Sequence, residues 1–305
     1  MDRRRAPFAR CGTAVISVPT RDRVNPVSVL LTFDFDAYSI WLGTFHTQSP
    51  GSLSRGEFGA RVAAPRILDL LAAYEIRSTW FIPGHTIDTF PDVCRRIADE
   101  GHEVAYHGYA HENPVPMARE EEAQTIRRGM EAIRRLTGAY PRGCRSPAWD
   151  TSPHTITLLE ELGFEWDSSL MAEDHRLHWC RAGDQYDWVE PPQHGRPSKI
   201  VEVPVSWSLD DWPALVPIWD NPYRYGYTAL STLEEYWTEQ FRYVYENVPG
   251  GVYCLTVHPQ VIGRGHTLRL LERITQFARA VPGVRFQTVS AAVGEWKAAG
   301  RVLPA

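Results

Sequence analysis

The chain contains no apolar stretch that approaches the roughly 18 residues of a membrane-spanning helix. Its N-terminus is locally basic, with Arg3, Arg4, Arg5 and Arg10, but no apolar run follows these arginines. A secretory signal peptide needs such a run, so we interpret residues 1–26 as an N-terminal arm. We therefore expect no membrane partner.

Cysteine is scarce, and no two cysteines form a C-x-x-C pair. The five cysteines are odd in number and scattered along the chain: Cys11, Cys94, Cys144, Cys180 and Cys254. A disulfide framework or a zinc knuckle would show paired, regularly spaced cysteines. We therefore expect reduced thiols and a cytoplasmic location.

No charge of one sign dominates the sequence. The 305 residues carry a formal net charge of −5, and 23% of them are charged. A general nucleic-acid-binding protein usually presents a basic face, so this balance argues against a nucleic-acid partner. The hydrophobic content of 43% is ample for one large α/β domain or two ordinary domains.

Short β-rich runs alternate with amphipathic stretches along the chain. We predict strands at residues 27–33, 77–82, 102–106, 164–168, 199–205, 252–257 and 284–288, with a weaker candidate at 143–145. We predict helices at residues 58–74, 91–100, 117–136, 153–162, 231–247, 268–280 and 290–299. This alternation is typical of parallel strands joined by crossover helices.

No Gly/Ser-rich or charged linker divides the chain, which favours one domain over residues 27–305. Its β/α units predict an α/β barrel with seven or eight parallel strands. In such barrels the catalytic residues lie on loops at the carboxyl ends of the strands. Two long segments without clear periodicity, 37–57 and 171–198, suit lids or interface elements, with solvated insertions as the alternative.

Two acids and two histidines form the most informative pattern of the sequence. Asp34 and Asp36 end an apolar strand, from which side chains two residues apart leave on the same side. His107 and His111 are spaced so that they can share one face of a helical turn. Asp36 and the two histidines together suit a catalytic zinc, and they also suit ferrous iron in an oxygenase.

Further polar residues are expected at the same end of the barrel. Asp34, left over once Asp36 is a metal ligand, suits a general base or an ion-pair partner of Arg145. His258 follows a strand and precedes Pro259, which suits a proton donor or a hydrogen-bonded core histidine. The remaining candidates for substrate contact, or for orienting the imidazole, are Trp149, Asp210, Asp211 and His85.

Five short motifs, in order, resemble those of the polysaccharide deacetylase family, also called the NodB-homology or carbohydrate esterase 4 group. They are TFDFD at residues 32–36, HGYAH at 107–111, RSPAW at 145–149, WSLDDW at 207–212 and LTVHP at 255–259. The resemblance extends over nearly the whole chain. Five motifs in the correct order are a far more specific signal than any one of them.

The resemblance implies a distorted (β/α) barrel that binds a divalent metal, with zinc preferred. It implies three metal ligands, which are Asp36, His107 and His111. It also implies that Asp34 is the base, that Arg145 holds this base, and that His258 protonates the departing nitrogen. A backbone N–H near Ala148 would help to bind the oxyanion.

One departure from the family pattern concerns the substrate. The usual first motif has two adjacent acids followed by glycine, whereas here Phe35 separates Asp34 from Asp36 and Ala37 follows. This D-x-D form resembles a subgroup that contains peptidoglycan-deacetylase-like, allantoinase-like and cyclic-imide hydrolase proteins. Because these relatives tend to be oligomers, we also expect a homo-oligomer.

We therefore predict a hydrolase of non-peptide C–N bonds that removes N-acetyl groups from an amino-sugar substrate. The closest alternative is an amidohydrolase that acts on another amide-bearing small molecule, of the cyclic imide or allantoin type. A non-catalytic binding protein on the same barrel is a further alternative. The presence of both Asp34 and His258 disfavours it.

Overall fold

The computed structural model describes residues 26–217, 226–301 and 303 of the chain. Of the predicted N-terminal arm, residues 1–26, only Pro26 lies within this part. Among the described helices, none combines the length and the apolar character that crossing a bilayer requires.

One sheet contains all of the named strands. These are β1 Val27–Asp34, β2 Thr79–Ile82, β3 Glu103–Tyr106, β4 Gly143–Cys144, β5 Trp166–Asp167, β6 His178–Ala182, β7 Arg196–Glu202, β8 Val252–Val257 and β9 Val284–Phe286. Their spatial order is β6-β7-β5-β4-β3-β2-β1-β8, with β9 beside β1. Only β6 pairs in the antiparallel sense, so the predicted distorted (β/α) barrel with seven or eight parallel strands is confirmed.

Helices connect the strands and pack against the sheet. They are α1 Pro50–Phe58, α2 Ala64–Ala73, α3 Gly84–Thr89, α4 Pro91–Asp99, α5 Arg119–Thr137, α6 Thr155–Glu161, α7 Asp211–Leu215, α8 Leu230–Asn247, α9 Pro259–Ile262, α10 Gly265–Arg279 and α11 Val289–Ala298. Gly138 ends α5 in the left-handed conformation, at a φ of 84°, which glycine adopts without steric cost.

The first strand is an inner strand of the sheet, between β2 and β8. Its nearly continuous apolar run is typical of a parallel strand that is covered on both faces, and all of its residues but Ser28 are buried. Thr32 pairs with Thr79 of β2 on one side and with Thr256 of β8 on the other. The carboxyl ends of these three strands therefore lie side by side.

The barrel is distorted because its edge strands do not form a ladder with each other. The hydrogen-bonded path of described strands ends at β6 and at β8. The chain after β7 meets the β8 edge at Asp210, which forms an isolated parallel bridge with Thr256 of β8. Asp211 then accepts a hydrogen bond from the backbone N–H of His258, so the segment after β7 lies against the end of the last strand of the path.

The two segments expected to be irregular contain regular structure. Segment 37–57 includes a π-helical turn at Ile40–Thr44 and most of α1. Segment 171–198 includes β6, an edge strand whose partly exposed residues lack the apolar run of the inner strands.

Helix α8 has Ala229 at its N-cap position, so Ser231 lies inside the helix and does not cap it.

We expect the substitution Gly143→Ala to destabilise the fold, because a Cβ atom on this β4 residue would lie 1.9 Å from the buried indole of Trp166. Overpacking of this kind costs about 1–3 kcal/mol of unfolding free energy, measurable by guanidinium denaturation. The matched control is Gly294→Ala, because a Cβ in that exposed helical position meets no atom within 4 Å. It should stabilise α11 by about 0.5–1 kcal/mol. Equal midpoints for both variants would contradict this account of β4.

Candidate active site

Residues from four strand ends meet at the carboxyl edge of the sheet. Asp34 ends β1, and Asp36 follows two residues later. His107, Arg145 and His258 directly follow β3, β4 and β8. All five side chains are buried, so their charges and hydrogen bonds are shielded from water. The structure thus brings together residues that are as far as 224 positions apart.

Asp36, His107 and His111 form a group of three potential metal ligands, with one ligand atom from each lying within 4.8 Å of the others. Asp36 Oδ1 lies 3.5 Å from His107 Nε2 and 3.7 Å from His111 Nε2. Tetrahedral zinc with bonds of about 2.0–2.2 Å places its ligand atoms roughly 3.4 Å apart. The spacing therefore fits a small divalent ion.

The hydrogen bonds of both histidines leave the Nε2 lone pairs facing Asp36. His107 Nδ1 lies 2.7 Å from the carbonyl oxygen of Arg145, which can only accept, so Nδ1 carries the proton. Thr44 donates its hydroxyl proton to the carbonyl of His111 at 3.1 Å. The Thr44 oxygen must then accept from His111 Nδ1, 2.6 Å away. Such outer contacts fix the tautomer and orientation of metal-binding imidazoles.

The Asp36 carboxylate is a buried acceptor without its full complement of donors. Its Oδ2 accepts a long hydrogen bond, 3.5 Å, from the amide nitrogen of Gln260. Its Oδ1 has no hydrogen-bond partner among the described residues. Burial raises the pKa of Asp36 well above its usual value, because a lone buried carboxylate is costly. An acceptor oxygen facing two imidazole lone pairs fits a bound cation.

Asp34 is held by a different set of contacts. Arg145 Nη1 donates to Asp34 Oδ1 at 2.7 Å, and the Trp149 indole N–H donates to Oδ2 at 3.3 Å. Burial is the largest influence and would raise the pKa of Asp34, but the charge and hydrogen bond of Arg145, together with the nearby His107 and His258, outweigh it and lower this pKa to about 2. Asp34 is therefore ionised at neutral pH.

The Arg145 side chain is itself fully buried and makes several further contacts. It donates to the hydroxyl of Thr32, and to both the carbonyl and the hydroxyl of Ser168. Its guanidinium carbon lies 3.9 Å from the ring centroid of Phe81, on the ring face. These contacts hold the guanidinium of Arg145 beside Asp34.

Two adjacent acids hold His258. The Asp211 carboxylate lies 2.8 Å from His258 Nδ1 and also accepts the backbone N–H of His258 at 3.0 Å. Asp210 lies 3.4 Å from the same ring nitrogen. Burial alone would lower the pKa of His258, but the two acids raise it well above its usual value. This arrangement favours an imidazole that carries a proton on Nε2, 3.9 Å from Asp36.

A cavity of about 500 Å³ opens above these residues. His111, Asp210 and His258 contribute polar groups to its wall. The other described wall residues are mostly apolar: Ile40, Thr44, Phe45, Ala148, Trp149, Trp207, Trp212, Pro213 and Val216. The Trp149 and Trp207 rings stack with centroids 4.2 Å apart. A neutral group of modest size, next to buried polar groups, fits this space.

Backbone strain is concentrated at the same place. His111, Ala148 and Trp149 adopt left-handed conformations, with φ of 64°, 54° and 54°. Each such residue other than glycine costs of order 1–3 kcal/mol and persists only where its surroundings impose it. The strain turns the Trp149 indole toward Asp34 and places Ala148 at the cavity wall.

Residues 22–166 match the family model described as polysaccharide deacetylase. A peptidoglycan deacetylase of Helicobacter pylori is 37% identical over 266 residues, which span 84% of this chain and 91% of that protein. This chain belongs to the polysaccharide deacetylase family. A peptidoglycan deacetylase-like protein of Gibberella zeae is 31% identical over 88% of this chain and 86% of its own length.

Solved structures agree with this assignment. A crystal structure from Mycobacterium smegmatis, assigned to the polysaccharide deacetylases, is 31% identical with a TM-score of 0.81 and covers 94% of this chain and 95% of its own. Puue allantoinase has a TM-score of 0.74 at 21% identity, over 90% of this chain and 92% of its own, and shares the fold. The predicted family is confirmed, and with it a hydrolase acting on C–N bonds other than peptide bonds.

Not every residue expected to contact substrate lies in the cavity wall of this family member. Trp149 and Asp210 line the cavity, whereas Asp211 lies behind His258. His85 does not line it, because the chain turns into α3 at this point. Its backbone N–H donates to the Tyr109 carbonyl at 2.6 Å, and its ring lies near Ser39.

Two contributing residues were not predicted from the sequence. Thr44 lies in the predicted irregular segment, and only its three-dimensional contact with His111 reveals it. Gln260 stands two residues after His258, and this closeness in sequence was the one feature that could have indicated its place in the site. Gln260 lies on α9, and its side-chain amide donates a hydrogen bond to Asp36.

We expect Thr44→Val to weaken divalent-metal binding about 10–100-fold, because valine cannot accept the hydrogen bond that His111 Nδ1 donates. Thr44→Ser keeps the hydroxyl and should bind metal like the wild type. Competition with a chromophoric chelator measures both affinities without any enzyme assay. If the valine variant binds metal as tightly as the serine variant, Thr44 does not orient this ligand.

Proposed function

We propose that this chain is a metal-dependent deacetylase that removes N-acetyl groups from an amino-sugar substrate. The observation that carries the proposal is the unpartnered Asp36 oxygen, which faces two imidazoles beside an ionised Asp34 and a paired His258. The similar protein of Helicobacter pylori is named a peptidoglycan deacetylase. A shorter match in Bacillus cereus is named a peptidoglycan-N-acetylglucosamine deacetylase.

Asp36, His107 and His111 would hold the metal, for which we propose zinc. The donor set, with one carboxylate and two imidazoles, leaves positions open for water and substrate, as catalytic zinc sites do. A divalent ion there polarises the amide carbonyl and lowers the pKa of a water molecule toward about 7. The rest of the chemistry falls to the side chains of the chain itself.

Asp34 would act as the general base. It accepts a proton from the water that attacks the amide carbonyl carbon. A carboxylate with a pKa of about 2 is a weak base, so this transfer must accompany formation of the C–O bond, during which the water becomes strongly acidic. Arg145 keeps Asp34 ionised and orients its second oxygen.

His258 would act as the general acid. It donates the proton on Nε2 to the departing nitrogen as the C–N bond breaks, while Asp211 and Asp210 hold the ring through Nδ1. The products are acetate and the free amino group of the sugar. The backbone near Ala148, held in its strained conformation at the cavity wall, suits a hydrogen bond to the developing oxyanion.

We further propose that residues 27–305 form one catalytic domain that assembles as a homo-oligomer. In support, the segment between β6 and β7 exposes a cluster of large apolar side chains, Tyr186, Trp188 and Val189. Light scattering of the purified protein measures the mass, and a monomer at micromolar concentration contradicts this assembly. A cytoplasmic location stays a prediction, which the buried free thiols of Cys94, Cys144, Cys180 and Cys254 support.

The experiment that tests the proposed function combines metal removal with a choice of substrates. We expect acetate release from chito-oligosaccharides to vanish after chelation and to return with zinc. We expect no turnover of succinimide, hydantoin or allantoin. Full activity after verified metal removal contradicts the metal mechanism, and turnover of a cyclic substrate alone contradicts the amino-sugar assignment.

We expect Asp34→Asn to lower kcat by about 10²–10⁴-fold, because the amide cannot accept the proton of the attacking water. The substitution preserves size and still accepts a hydrogen bond from Arg145, so circular dichroism should show a folded protein. Asp69→Asn, at an exposed ion pair with Arg96, is the matched control and should retain wild-type kcat. Unchanged turnover by the Asp34 variant would rule out the proposed base.

A further inference from the structure

A second cavity, of about 480 Å³, lies next to the catalytic one. Val216 lines both cavities and so forms part of the wall between them. The second cavity is lined by three basic side chains, Arg55, Arg264 and His266. No acidic residue of the described part of the chain lines it. A half-enclosed space with basic walls is suited to an anion.

In the part of the chain that the structure describes, the two arginines of this cavity lack acidic partners of the kind that Arg61 has. The Arg55 guanidinium lies 4.6 Å from the ring centroid of Trp41, and that of Arg264 lies 4.3 Å from Phe58. Within residues 26–217 and 226–301, neither guanidinium makes a hydrogen bond or an ion pair with an acid. Arg61, one helical segment further on, pairs with Glu57 at 2.8 Å.

No acid among the described residues therefore compensates the positive charge of the second cavity. Burial lowers the pKa of Arg55, and the nearby charge of Arg264 lowers it further. Helix α10 begins at Gly265, and the side chain at its N-cap position makes no capping hydrogen bond. The positive end of the α10 dipole adds to the field of the arginines. An anion would relieve the repulsion between the two guanidinium groups.

We propose that Arg55 and Arg264 form a subsite for an oxyanion, a carboxylate or phosphate, that the substrate carries beyond its reacting amide. This proposal rests on the proposed function, because it concerns the same substrate. Arginine suits the task, since its planar donors match both oxyanions.

Two contacts connect this subsite to the reaction centre. Gln260 lines the second cavity, and its amide donates a hydrogen bond to Asp36 of the proposed metal site. Trp41, below Arg55, packs against Trp212, whose ring lies 5.0 Å from that of His258. A substrate that extends past Val216 from the first cavity into the second would place its neutral acetamide among the tryptophans and its anionic arm between the arginines. The subsite thus favours an amino sugar that carries an acid, such as N-acetylmuramic acid, over neutral N-acetylglucosamine.

Calorimetric titration with inorganic phosphate tests the subsite without any turnover. We expect the double variant Arg55→Gln, Arg264→Gln to bind phosphate at least tenfold more weakly than the wild type. Arg61→Gln removes a nearby arginine that already has a partner, and should bind like the wild type. Equal phosphate affinity of the double variant and the wild type overturns the subsite.

Kinetics then show whether the anion belongs to the substrate. The probes are a chito-oligosaccharide and a glycan of the same length that alternates N-acetylglucosamine with N-acetylmuramic acid. We expect the double variant to raise KM about tenfold for the acidic glycan only, with kcat unchanged for the neutral one. An equal change for both glycans overturns the substrate assignment. If neither glycan reacts with wild type, the proposed function fails, while the phosphate titration still decides the subsite.

Discussion

The buried ion pair between Asp34 and Arg145 is the interaction on which the rest of the site depends. Both side chains lie out of contact with water, so each charge offsets part of the desolvation cost of the other. The guanidinium also donates to Thr32 and Ser168, which ties β1 to the segment after β5. The main-chain carbonyl of Arg145 orients His107. One residue therefore controls both the charge of the proposed base and the position of a proposed metal ligand.

The same pair separates the roles of two acids that stand only two residues apart. Asp34 has a permanent cation beside it, and its pKa falls to about 2. Asp36 is equally buried but faces the lone pairs of His107 and His111, and its pKa rises. Two chemically identical carboxylates thus differ because only one of them has an arginine. A bound cation would offset the desolvation cost that the Asp36 carboxylate bears without an arginine.

The sequence suffices for the parts of the site that follow from strand geometry. Asp34 and Asp36 share a side because strands repeat every two residues, and residues after parallel strands meet at one edge. Thr44 and Gln260 were beyond prediction, since each acts through a contact distant in sequence and follows no helical or strand period. His85 lies outside the cavity wall because its strand end turns directly into a helix, which the sequence pattern did not indicate. The antiparallel β6 was missed because an edge strand lacks a continuous apolar run.

The isolated bridge between Asp210 and Thr256 connects the segment after β7 to the last strand of the sheet path. The region matched by the family model, residues 22–166, contains the base, its arginine and the three candidate ligands. His258, the proposed acid, lies beyond it, and Asp211 holds its ring from behind. The bridge at Asp210 places Asp211 beside the end of β8, next to His258. The orientation of the proposed acid therefore depends on a segment that joins this edge of the sheet without forming a strand ladder.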